Sequence, residues 1–343
     1  MERVRFGRTG LEVSRIALGG IPIMRVSLEK AAEIVREAIR LGINFIDTAN
    51  AYGDSEIKVH EGIKGIPRDE IVLATKSGAK DKQTLNAHLD KSLRQLGVDY
   101  IDIYQLHNVT PPKSAEVFGP GGAFEGLMEA VQAGKVRFPA FSSHSLSFAI
   151  ETMRTGKFDV VQLGFNYLDI MAADEAIPLA KQLDMGFLAM KPMGGGLLYN
   201  ARLSFRYLLQ FADIIPDPGI ERIEELREIV SIVEEGLPLT EADKAEIESL
   251  RKELGDTWCH RCDYCQPCPQ GIPINTVLTV KSYLKRFTLH AARGWADDAI
   301  KMAHNCTECR TCVQRCPYDL EIPTLLKENI AHWETVNNEF STP

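Results

Sequence analysis

Short apolar runs alternate with amphipathic segments over the first two thirds of the chain. The runs have the length of strands, whereas the segments between them repeat apolar residues at helical spacing, as Ile34, Ala38 and Leu41 do. Strict alternation of this kind is typical of parallel βα units. The predicted strands are residues 16–18, 45–47, 71–75, 101–106, 138–141, 160–163, 186–190 and 213–215.

Eight strands that alternate with helices in about 235 residues fit a closed (β/α)8 barrel better than an open sheet. A doubly wound sheet is the alternative. It would favour a G-x-G-x-x-G turn after the first strand, and the chain has none there. Residues 3–18 are expected to form a hairpin ahead of the barrel, with its turn at 7–10. The predicted helices lie near 28–41, 84–96, 123–133, 147–155, 173–184, 201–211 and 221–234.

The pattern changes after residue 236. Residues 240–254 have the charged amphipathic pattern of a single helix, with Thr240 as its N-cap and Gly255 at its end. Helical stretches near 273–290 and 295–303 and a last short helix follow, interleaved with two blocks of cysteines. We therefore predict three regions. They are a barrel domain at 1–236, a linker helix at 237–256 and a small, mainly helical domain at 257–343.

Composition narrows the classes of function. The chain of 343 residues has a formal net charge of −8, and binding to nucleic acid or an anionic membrane usually needs a basic face. No apolar run approaches the roughly 18 residues of a membrane span, and no export signal is apparent at the start. We expect a cytoplasmic protein with no membrane span and no nucleic-acid partner. All eight cysteines follow residue 258, where metal binding is a better interpretation than disulfides.

Four polar residues follow three successive predicted strands. Asp47 ends the second strand, and Tyr52 lies on the loop after it. Lys76 ends the third strand and His107 the fourth. Because side chains at the carboxyl ends of barrel strands converge on one rim, these four suit proton delivery to a carbonyl oxygen as hydride reaches its carbon. The stretch 108–123 is expected to be a loop that lines the substrate pocket.

The segments that carry these residues resemble the signature regions of the aldo-keto reductase family. They are GINFIDTANAYGDSE, VLATKSG and DYIDIYQLHN, and the resemblance covers residues 1 to about 235. That family is a (β/α)8 barrel that reduces carbonyl compounds with a nicotinamide cofactor. The resemblance implies a small-molecule aldehyde or ketone as substrate and NAD(H) or NADP(H) as cofactor. Carried over by position, the family's catalytic tetrad falls on Asp47, Tyr52, Lys76 and His107, with Tyr52 as general acid.

The resemblance also implies where the nicotinamide ring would bind. The family holds the nicotinamide amide with a Ser-Asn pair and a Gln, and the corresponding residues are Ser142, Ser143 and Gln162. An aromatic residue that stacks on the ring in the best-known members corresponds to Met190. Both the asparagine and the aromatic ring are therefore replaced in this chain.

Two further segments are expected to bind the rest of the cofactor. Lys191, Gly194 and Gly195 lie in a stretch that is predicted to approach the pyrophosphate through backbone N–H groups and the lysine charge. In the last barrel helix, members selective for the 2′-phosphate place an arginine where this chain has Glu225, and Arg222 lies one turn away. The carboxylate favours NADH, while the neighbouring arginine leaves NADPH open.

The cysteines form two blocks with iron–sulfur spacing. The second block, 306–316, is the C-x2-C-x2-C-x3-C-P run of bacterial ferredoxins, and the first, 259–268, differs by one residue before its last cysteine. In two-cluster ferredoxins the fourth cysteine of each run ligates the other cluster. The prediction is therefore two 4Fe-4S clusters, one on Cys259, Cys262, Cys265 and Cys316, the other on Cys268, Cys306, Cys309 and Cys312.

Alternatives stay open at this point for both the metal and the function. Four cysteines per site also suit structural zinc, although zinc sites usually pair well-separated C-x2-C knuckles. The leading hypothesis is an oxidoreductase whose clusters exchange electrons with a redox partner protein or support the fold. The other is an electron-transfer or redox-sensing protein whose barrel has lost or altered its reductase activity, as the replacements at Ser143 and Met190 suggest.

Overall fold

The computed structural model describes residues 1–261 and 264–339 of the chain. Cys262, one of the predicted cluster ligands, therefore lies outside the described residues. No helix in the described part of the chain is both long and apolar enough to cross a lipid bilayer. The chain divides into two compact units, which we call the barrel unit and the C-terminal unit.

The barrel unit comprises Met1–Gly194 and Leu198–Pro238. It opens with the predicted hairpin, in which β1 (Arg3–Arg5) pairs antiparallel with β2 (Glu12–Ser14). The strands that follow are parallel and pair in sequential order. They are β3 (Leu18–Gly19), β4 (Phe45–Asp47), β5 (Val72–Ser77), β6 (Ile101–Leu106), β7 (Val136–Ser142), β8 (Val160–Gly164), β9 (Gly186–Met190) and β10 (Ile214–Asp217).

These eight strands close into a barrel with helices outside. The N–H groups of Ala17 and Gly19 donate to the carbonyls of Pro216 and Pro218, at 2.9 and 2.8 Å, and so join the first barrel strand to the last. The predicted (β/α)8 barrel is confirmed. The helices are α1 (Leu28–Arg40), α2 (Ser55–Ile63), α3 (Lys82–Leu96), α4 (Pro111–Phe118), α5 (Ala123–Gln132), α6 (Leu146–Arg154), α7 (Ala176–Gln182), α8 (Ala201–Leu208) and α9 (Ile223–Glu235).

Several features of the barrel unit depart from the predicted pattern. The helix α2 is not among the predicted helices. The helix α4 lies in the stretch 108–123 that is predicted to be a loop, and Pro111 stands at its first position, where a missing N–H costs nothing. The strand β10 runs to Asp217, two residues beyond its predicted end.

Alternate strands fill the barrel interior in layers, as in other barrels of this kind. Phe45, Ile103, Val160 and Ile215, from β4, β6, β8 and β10, are buried together in one apolar cluster. Two positions later each of these strands carries a polar residue, which strand alternation directs to the same side. Those residues form what we call the polar layer, and each is at most 8% exposed: Asp47, Gln105, Gln162 and Asp217.

The C-terminal unit comprises Gly195–Leu197 and the chain from Leu239 onward, so the helix predicted as a linker clusters with it. It is mainly helical, as predicted. Its first helix begins after Thr240, whose hydroxyl accepts the Asp243 N–H at 3.1 Å in a capping box. The helices are α10 (Glu241–Leu254), α11 (Ile274–Leu278), α12 (Val280–Arg286), α13 (Leu289–Ala303), α14 (Thr311–Arg315) and α15 (Ile322–Glu339).

The helices of the C-terminal unit differ from the predicted ones in length. The stretch 273–290 is divided between α11 and α12 at Thr279, whose hydroxyl bonds the Asn275 carbonyl at 2.7 Å and competes with the backbone pattern. The helix α13 begins at 289 because Thr288 caps it through the Ala291 N–H. The helix α15, predicted to be short, has 18 residues.

Candidate active site and cysteine cavity

Hydrogen bonds join the polar layer across the barrel. Gln105 Nε2 donates to Asp47 Oδ1 at 3.0 Å. Gln162 Nε2 donates to both carboxylates of the layer, to Asp47 Oδ2 at 3.1 Å and to Asp217 Oδ2 at 3.1 Å. Because a buried carboxylate without donors is costly, the two amides stabilise the placement of two carboxylates in the barrel interior.

Lys76, on β5, contacts this layer with its ammonium group. Its Nζ donates to Asp47 Oδ2 in a short contact and to the Thr48 carbonyl at 2.7 Å, and the side chain is 2% exposed. Burial by itself lowers the pKa of Lys76, but electrostatic interactions with Asp47 first, then Tyr52 and then Asp217, raise that pKa above its ordinary value. The lysine therefore stays charged although it is buried.

Tyr52 and His107 lie beside this ion pair. The Lys76 Nζ is 5.1 Å from the centre of the Tyr52 ring. The His107 ring meets the Tyr52 ring edge-on at 83°, with centroids 5.7 Å apart. The structure thus brings the predicted Asp47, Tyr52, Lys76 and His107 together. A phenol flanked by an ammonium and an imidazole can deliver a proton to an oxygen bound beside it.

The loop that carries Tyr52 is held in place by hydroxyl groups. Ser55 Oγ donates to the Gly20 carbonyl at 2.7 Å and lies 2.8 Å from Thr48 Oγ1. A Cβ at position 20 would lie 2.9 Å from the Ser55 oxygen, so this close approach requires glycine. These contacts fix the start of α2, and Tyr52 is fixed with it through the Ser55 N–H, which donates to the Tyr52 carbonyl at 2.9 Å.

Two members of the polar layer are absent from the predicted site. Gln105 lies inside the predicted fourth strand at an inward position, and a polar residue at such a position is a signal that could have identified it. Asp217 lies beyond the predicted end of the last strand at residue 215, so its place at a strand end is not apparent from the pattern. A predicted strand that extended two residues further would have placed Asp217 on the rim.

Four of the predicted cluster ligands line one cavity in the C-terminal unit. The walls of the cavity include the apolar side chains of Ile272 and Leu326. The backbone bends tightly there because Glu308 and Arg310 are both in the left-handed region, with φ of 53° and 58°. The thiols that line the cavity are those of Cys268, Cys306, Cys309 and Cys312, a donor set that fits a 4Fe-4S cluster.

The described members of the other predicted ligand set lie in neighbouring segments. His260, next to Cys259, stacks on Tyr318 with ring centroids 3.6 Å apart, and Tyr318 lies two residues after Cys316. Cys259, Cys265 and Cys316 are each half-buried. In the described part of the chain, no group of three or more His, Cys, Asp or Glu side chains is gathered closely enough for a single metal ion.

Comparison with known proteins identifies the family. The sequence model of the aldo/keto reductase family matches residues 15–203, more than half of the chain. The chain belongs to this family. As an aldo/keto reductase it is an oxidoreductase, and the predicted resemblance is confirmed. A 4Fe-4S dicluster domain matches residues 258–321, the part that carries both cysteine blocks.

Characterised and uncharacterised enzymes are among the relatives of this aldo/keto reductase. It is 28% identical over 228 residues to the NADH-specific methylglyoxal reductase of Escherichia coli, over 58% of this chain and 69% of the relative. It is 32% identical over 227 residues to the uncharacterised oxidoreductase YrpG of Bacillus subtilis, over 58% of this chain and 68% of the relative.

A solved structure supports the same assignment. The aldo-keto reductase AKR11C1 from Bacillus halodurans, in its holo form, superimposes with a TM-score of 0.63 at 25% identity. The match covers 73% of this chain and 96% of that one. The shared architecture therefore extends over nearly the whole of that enzyme.

The nicotinamide contacts that the family suggests fall on side chains that also bond within the barrel. Ser142 Oγ accepts the Asn108 N–H at 2.9 Å, and Ser143 Oγ donates to the Val109 carbonyl at 2.7 Å. Both hydroxyls therefore hold the loop that follows β6. The amide nitrogen of Gln162 is engaged with the carboxylates of the polar layer.

Buried polar atoms on and near the same rim nevertheless fit a polar ligand. Asn50 Nδ2, Gln105 Oε1 and Asn108 Oδ1 are buried, and none has a hydrogen-bond partner among the described residues. Because most buried polar groups in proteins are paired, such atoms point to a ligand or water that would pair them.

The segment after β9 forms a compact turn. Met190 ends the strand, and Lys191 follows in the left-handed region with φ of 60°. The Lys191 carbonyl accepts from Asn166 Nδ2 at 3.1 Å and from the Gly194 N–H at 2.9 Å. The Gly194 N–H is therefore used within the turn. Gly195, another predicted pyrophosphate contact, clusters with the C-terminal unit.

Glu225 caps the N-terminus of α9, and Arg222 binds to it. One Glu225 oxygen accepts the N–H groups of Glu221 and Arg222, at 3.2 and 3.3 Å, and the Arg222 guanidinium lies 2.7 Å from the other oxygen. A carboxylate thus occupies a helix N-terminus, which is a position that favours negative charge. The arginine is engaged with that carboxylate.

Proposed function

We propose that the protein reduces an aldehyde or ketone with a nicotinamide cofactor, and that Tyr52 is the general acid. The observation that carries this proposal is the convergence of Tyr52, Lys76 and His107 at the buried Asp47 carboxylate. The named activity of the Escherichia coli relative, reduction of methylglyoxal, is of the same reaction class.

Each residue of the site has its own role in proton delivery. His107 binds the carbonyl oxygen of the substrate and places it against the Tyr52 hydroxyl. Tyr52 gives its proton to that oxygen as the carbon gains a hydride, which the nicotinamide supplies when it is bound. Lys76, held by Asp47, stabilises the phenolate that is left, and the product is the alcohol.

The cofactor contacts belong to the same proposal. The carboxamide is assigned to Ser142, Ser143 and Gln162, with Met190 against the ring. The turn at Lys191 and the glycines Gly194 and Gly195 are assigned to the pyrophosphate. NADH is preferred over NADPH, because the Glu225 carboxylate would repel a 2′-phosphate and Arg222 is engaged by Glu225.

The C-terminal unit carries two 4Fe-4S clusters in this proposal, with the crossed ligand sets predicted from the sequence. The cavity lined by Cys268 and the thiols of the second block supports one of the two sets. The clusters exchange single electrons with a redox partner protein. Protein-bound clusters of this kind suit a reducing compartment, which supports a cytoplasmic location.

The test is the substitution Tyr52→Phe in the anaerobically purified protein, assayed with NADH and with NADPH against a panel of aldehydes and ketones. Loss of the phenol proton should lower turnover by about 10² to 10⁴-fold. The matched control is Tyr199→Phe at a side chain that is 77% exposed, which should leave turnover unchanged. Full activity in the Tyr52 variant would overturn the assignment of the general acid.

A second candidate function is electron transfer or redox sensing without carbonyl reduction. It is favoured by the engagement of Ser142, Ser143 and Gln162 within the barrel, since these are the family's nicotinamide contacts. The same assay separates the two functions. If no substrate turns over with either cofactor while the clusters are intact, the second candidate is the better description.

A further inference from the structure

The polar layer contains a second carboxylate that the tetrad does not include. Asp217 lies at the carboxyl end of β10, across the barrel from β6 in the strand order, and is 8% exposed. It shares the Gln162 amide nitrogen with Asp47, at 3.1 Å each. Asp217 therefore influences the tetrad in two ways, through a hydrogen-bonded bridge and through its charge.

The bridge restricts Asp47. With Gln162 on one oxygen and Gln105 on the other, the Asp47 carboxylate has a fixed orientation, and the Lys76 ammonium is fixed by it. Because Gln162 is itself held between two carboxylates, loss of either one frees its amide to rotate. Asp217 thus supports the position of Lys76 although no direct contact between the two is needed.

The charge of Asp217 acts on the phenol. A lysine beside a tyrosine favours the phenolate, whereas each carboxylate nearby favours the protonated phenol. Asp217 lies close enough to Lys76 for its carboxylate to help raise the pKa of that lysine. The titratable groups that face Tyr52 and Lys76 from the barrel strands and the loops after them are Asp47 from β4, Lys76 itself from β5, His107 after β6 and Asp217 from β10. The helix α2 adds the buried Glu56, whose carboxyl group interacts electrostatically with Lys76.

We propose that Asp217 is a positioning residue that holds Asp47 through Gln162 and keeps the Tyr52 phenol protonated. The phenol thereby keeps its proton to higher pH, so reduction of a carbonyl continues to a higher pH than it would without the charge of Asp217. This inference rests on the proposed function, because it assumes that Tyr52 is the acid of that reaction.

The sign of the expected pH effect follows from the charge. Removal of the negative charge at 217 leaves the Lys76 charge less opposed, so the phenolate becomes easier to form and the pKa of Tyr52 falls. Reduction needs the protonated phenol. The basic limb of its pH–rate profile, where the rate falls as pH rises, therefore moves to lower pH. Alcohol oxidation needs the phenolate, so the pH range in which its rate rises also moves to lower pH.

The experiment compares Asp217→Asn with Gln162→Met. An asparagine at 217 removes the charge but still offers an oxygen to Gln162, and it should lower the basic limb of the reduction profile by about one pH unit, a tenfold change in the proton equilibrium. Gln162→Met keeps the charge but breaks the bridge. It should lower kcat without moving the limb. Asp213→Asn, at an exposed pair with Lys181, is the matched control.

A readout that needs neither substrate nor cofactor accompanies the kinetics. The tyrosinate absorbance of each protein is titrated with pH, and the same titration of its Tyr52→Phe counterpart is subtracted. The difference belongs to Tyr52, and its midpoint should fall in Asp217→Asn and stay in Asp213→Asn. Should the asparagine variant not fold, Asp217→Ser removes the same charge and is read in the same way.

The outcomes separate this inference from the proposed function. Suppose that Tyr52→Phe is inactive and that Asp217→Asn has the same pH–rate profile and titration midpoint as the control Asp213→Asn. Asp217 then has no effect on the phenol, and Tyr52 keeps its assignment as the general acid. An equal loss of kcat in Asp217→Asn and Gln162→Met without a shift would also overturn the inference. If Tyr52→Phe is fully active, the proposed function fails, and the subtracted absorbance still decides whether Asp217 acts on the phenol.

Discussion

The two functional regions of this protein are built in opposite ways. At the end of the barrel, side chains far apart in the sequence meet because parallel strands bring them to one edge, and Gln162 reaches Asp47 across 115 residues. In the C-terminal unit, three cysteines spaced three positions apart line a cavity together with Cys268 from the first block, and one of them, Cys309, is exposed. The first region is held by the barrel itself, whereas the second depends on local turns.

The difference extends to electrostatics. The barrel charges are buried and compensated by named partners, so the site is complete before any ligand arrives. Burial raises the pKa of the Cys312 thiol, whereas the hydrogen bond from Thr311 lowers that of the exposed Cys309. Ligation requires thiolates, so the cysteine cavity acquires its final charge only with its inorganic group. One region is preorganised, and the other is completed by what it binds.

The largest effect is expected when the buried ion pair of the barrel is broken. Lys76→Met leaves the Asp47 carboxylate without its cation, which should cost about 3–5 kcal/mol of the free energy of unfolding. Turnover should fall by about 10³-fold, because the phenolate of Tyr52 loses its counter-charge. Chemical denaturation and steady-state kinetics measure the two losses.

The matched control for this substitution is Lys135→Met, at an exposed pair with Asp90 in which both side chains are 47% accessible. Such a pair contributes little, so stability should change by less than about 1 kcal/mol and turnover should not change. Equal stability losses in the two variants would show that the barrel site is not the preorganised region described above.

An intermediate effect is expected in the C-terminal unit. Cys316→Ala removes the predicted fourth ligand of the cluster on the first block, so iron should fall from about eight to about four per chain, and the remaining spectrum should be that of the second block's cluster. Iron analysis and electron paramagnetic resonance of the reduced protein make the measurement. Carbonyl reduction should persist if the barrel is complete without the clusters.

The reciprocal variant sharpens the same comparison. Cys268→Ala should damage the cluster of the cavity that Cys268 lines and spare the other. If each variant instead affects the cluster of its own block, the crossed ligand sets are wrong. Zinc at about two per chain in place of iron would contradict the cluster prediction altogether.

The smallest effect is expected at the edge of the barrel. Glu225→Ala removes the carboxylate at the start of α9 and releases Arg222, so the preference for NADH over NADPH should fall by about tenfold, the order of one charge interaction. The ratio of kcat/KM for the two cofactors is the measurement. Glu224→Ala, next to it on the same helix, is the control and should keep the wild-type ratio.

Much of the fold and part of the site could be predicted from the sequence, for a physical reason. Parallel strands buried on both faces appear as continuous apolar runs, so the barrel was evident from its repeats. Polar residues that directly follow such runs are conspicuous, which is why Asp47, Lys76 and His107 stood out. The cysteine spacing needs no folding to be recognised, because its ligands are neighbours in the chain.

The rest depended on information that periodicity does not carry. The bridge from Gln162 to Asp217 joins β8 and β10, which lie on either side of β9 and do not pair with one another. The helix α4 begins at a proline in a stretch rich in Pro and Gly, which by composition indicates a loop. Glu225 bonds both to Arg222 and to the backbone N–H groups at the start of α9. These contacts depend on side-chain placement, which periodicity does not predict.

The layered interior has a consequence for protein engineering. The residues of the polar layer are anchored in strands, whereas residues 108–122 lie between strands, in loop and in α4. This stretch is predicted to line the substrate pocket, so a library of variants confined to it should change the shape of the pocket and leave the polar layer unchanged. The residues that carry out the chemistry and those that select the substrate could then be varied separately. This separation makes the barrel a useful scaffold for selecting reductases that accept other substrates.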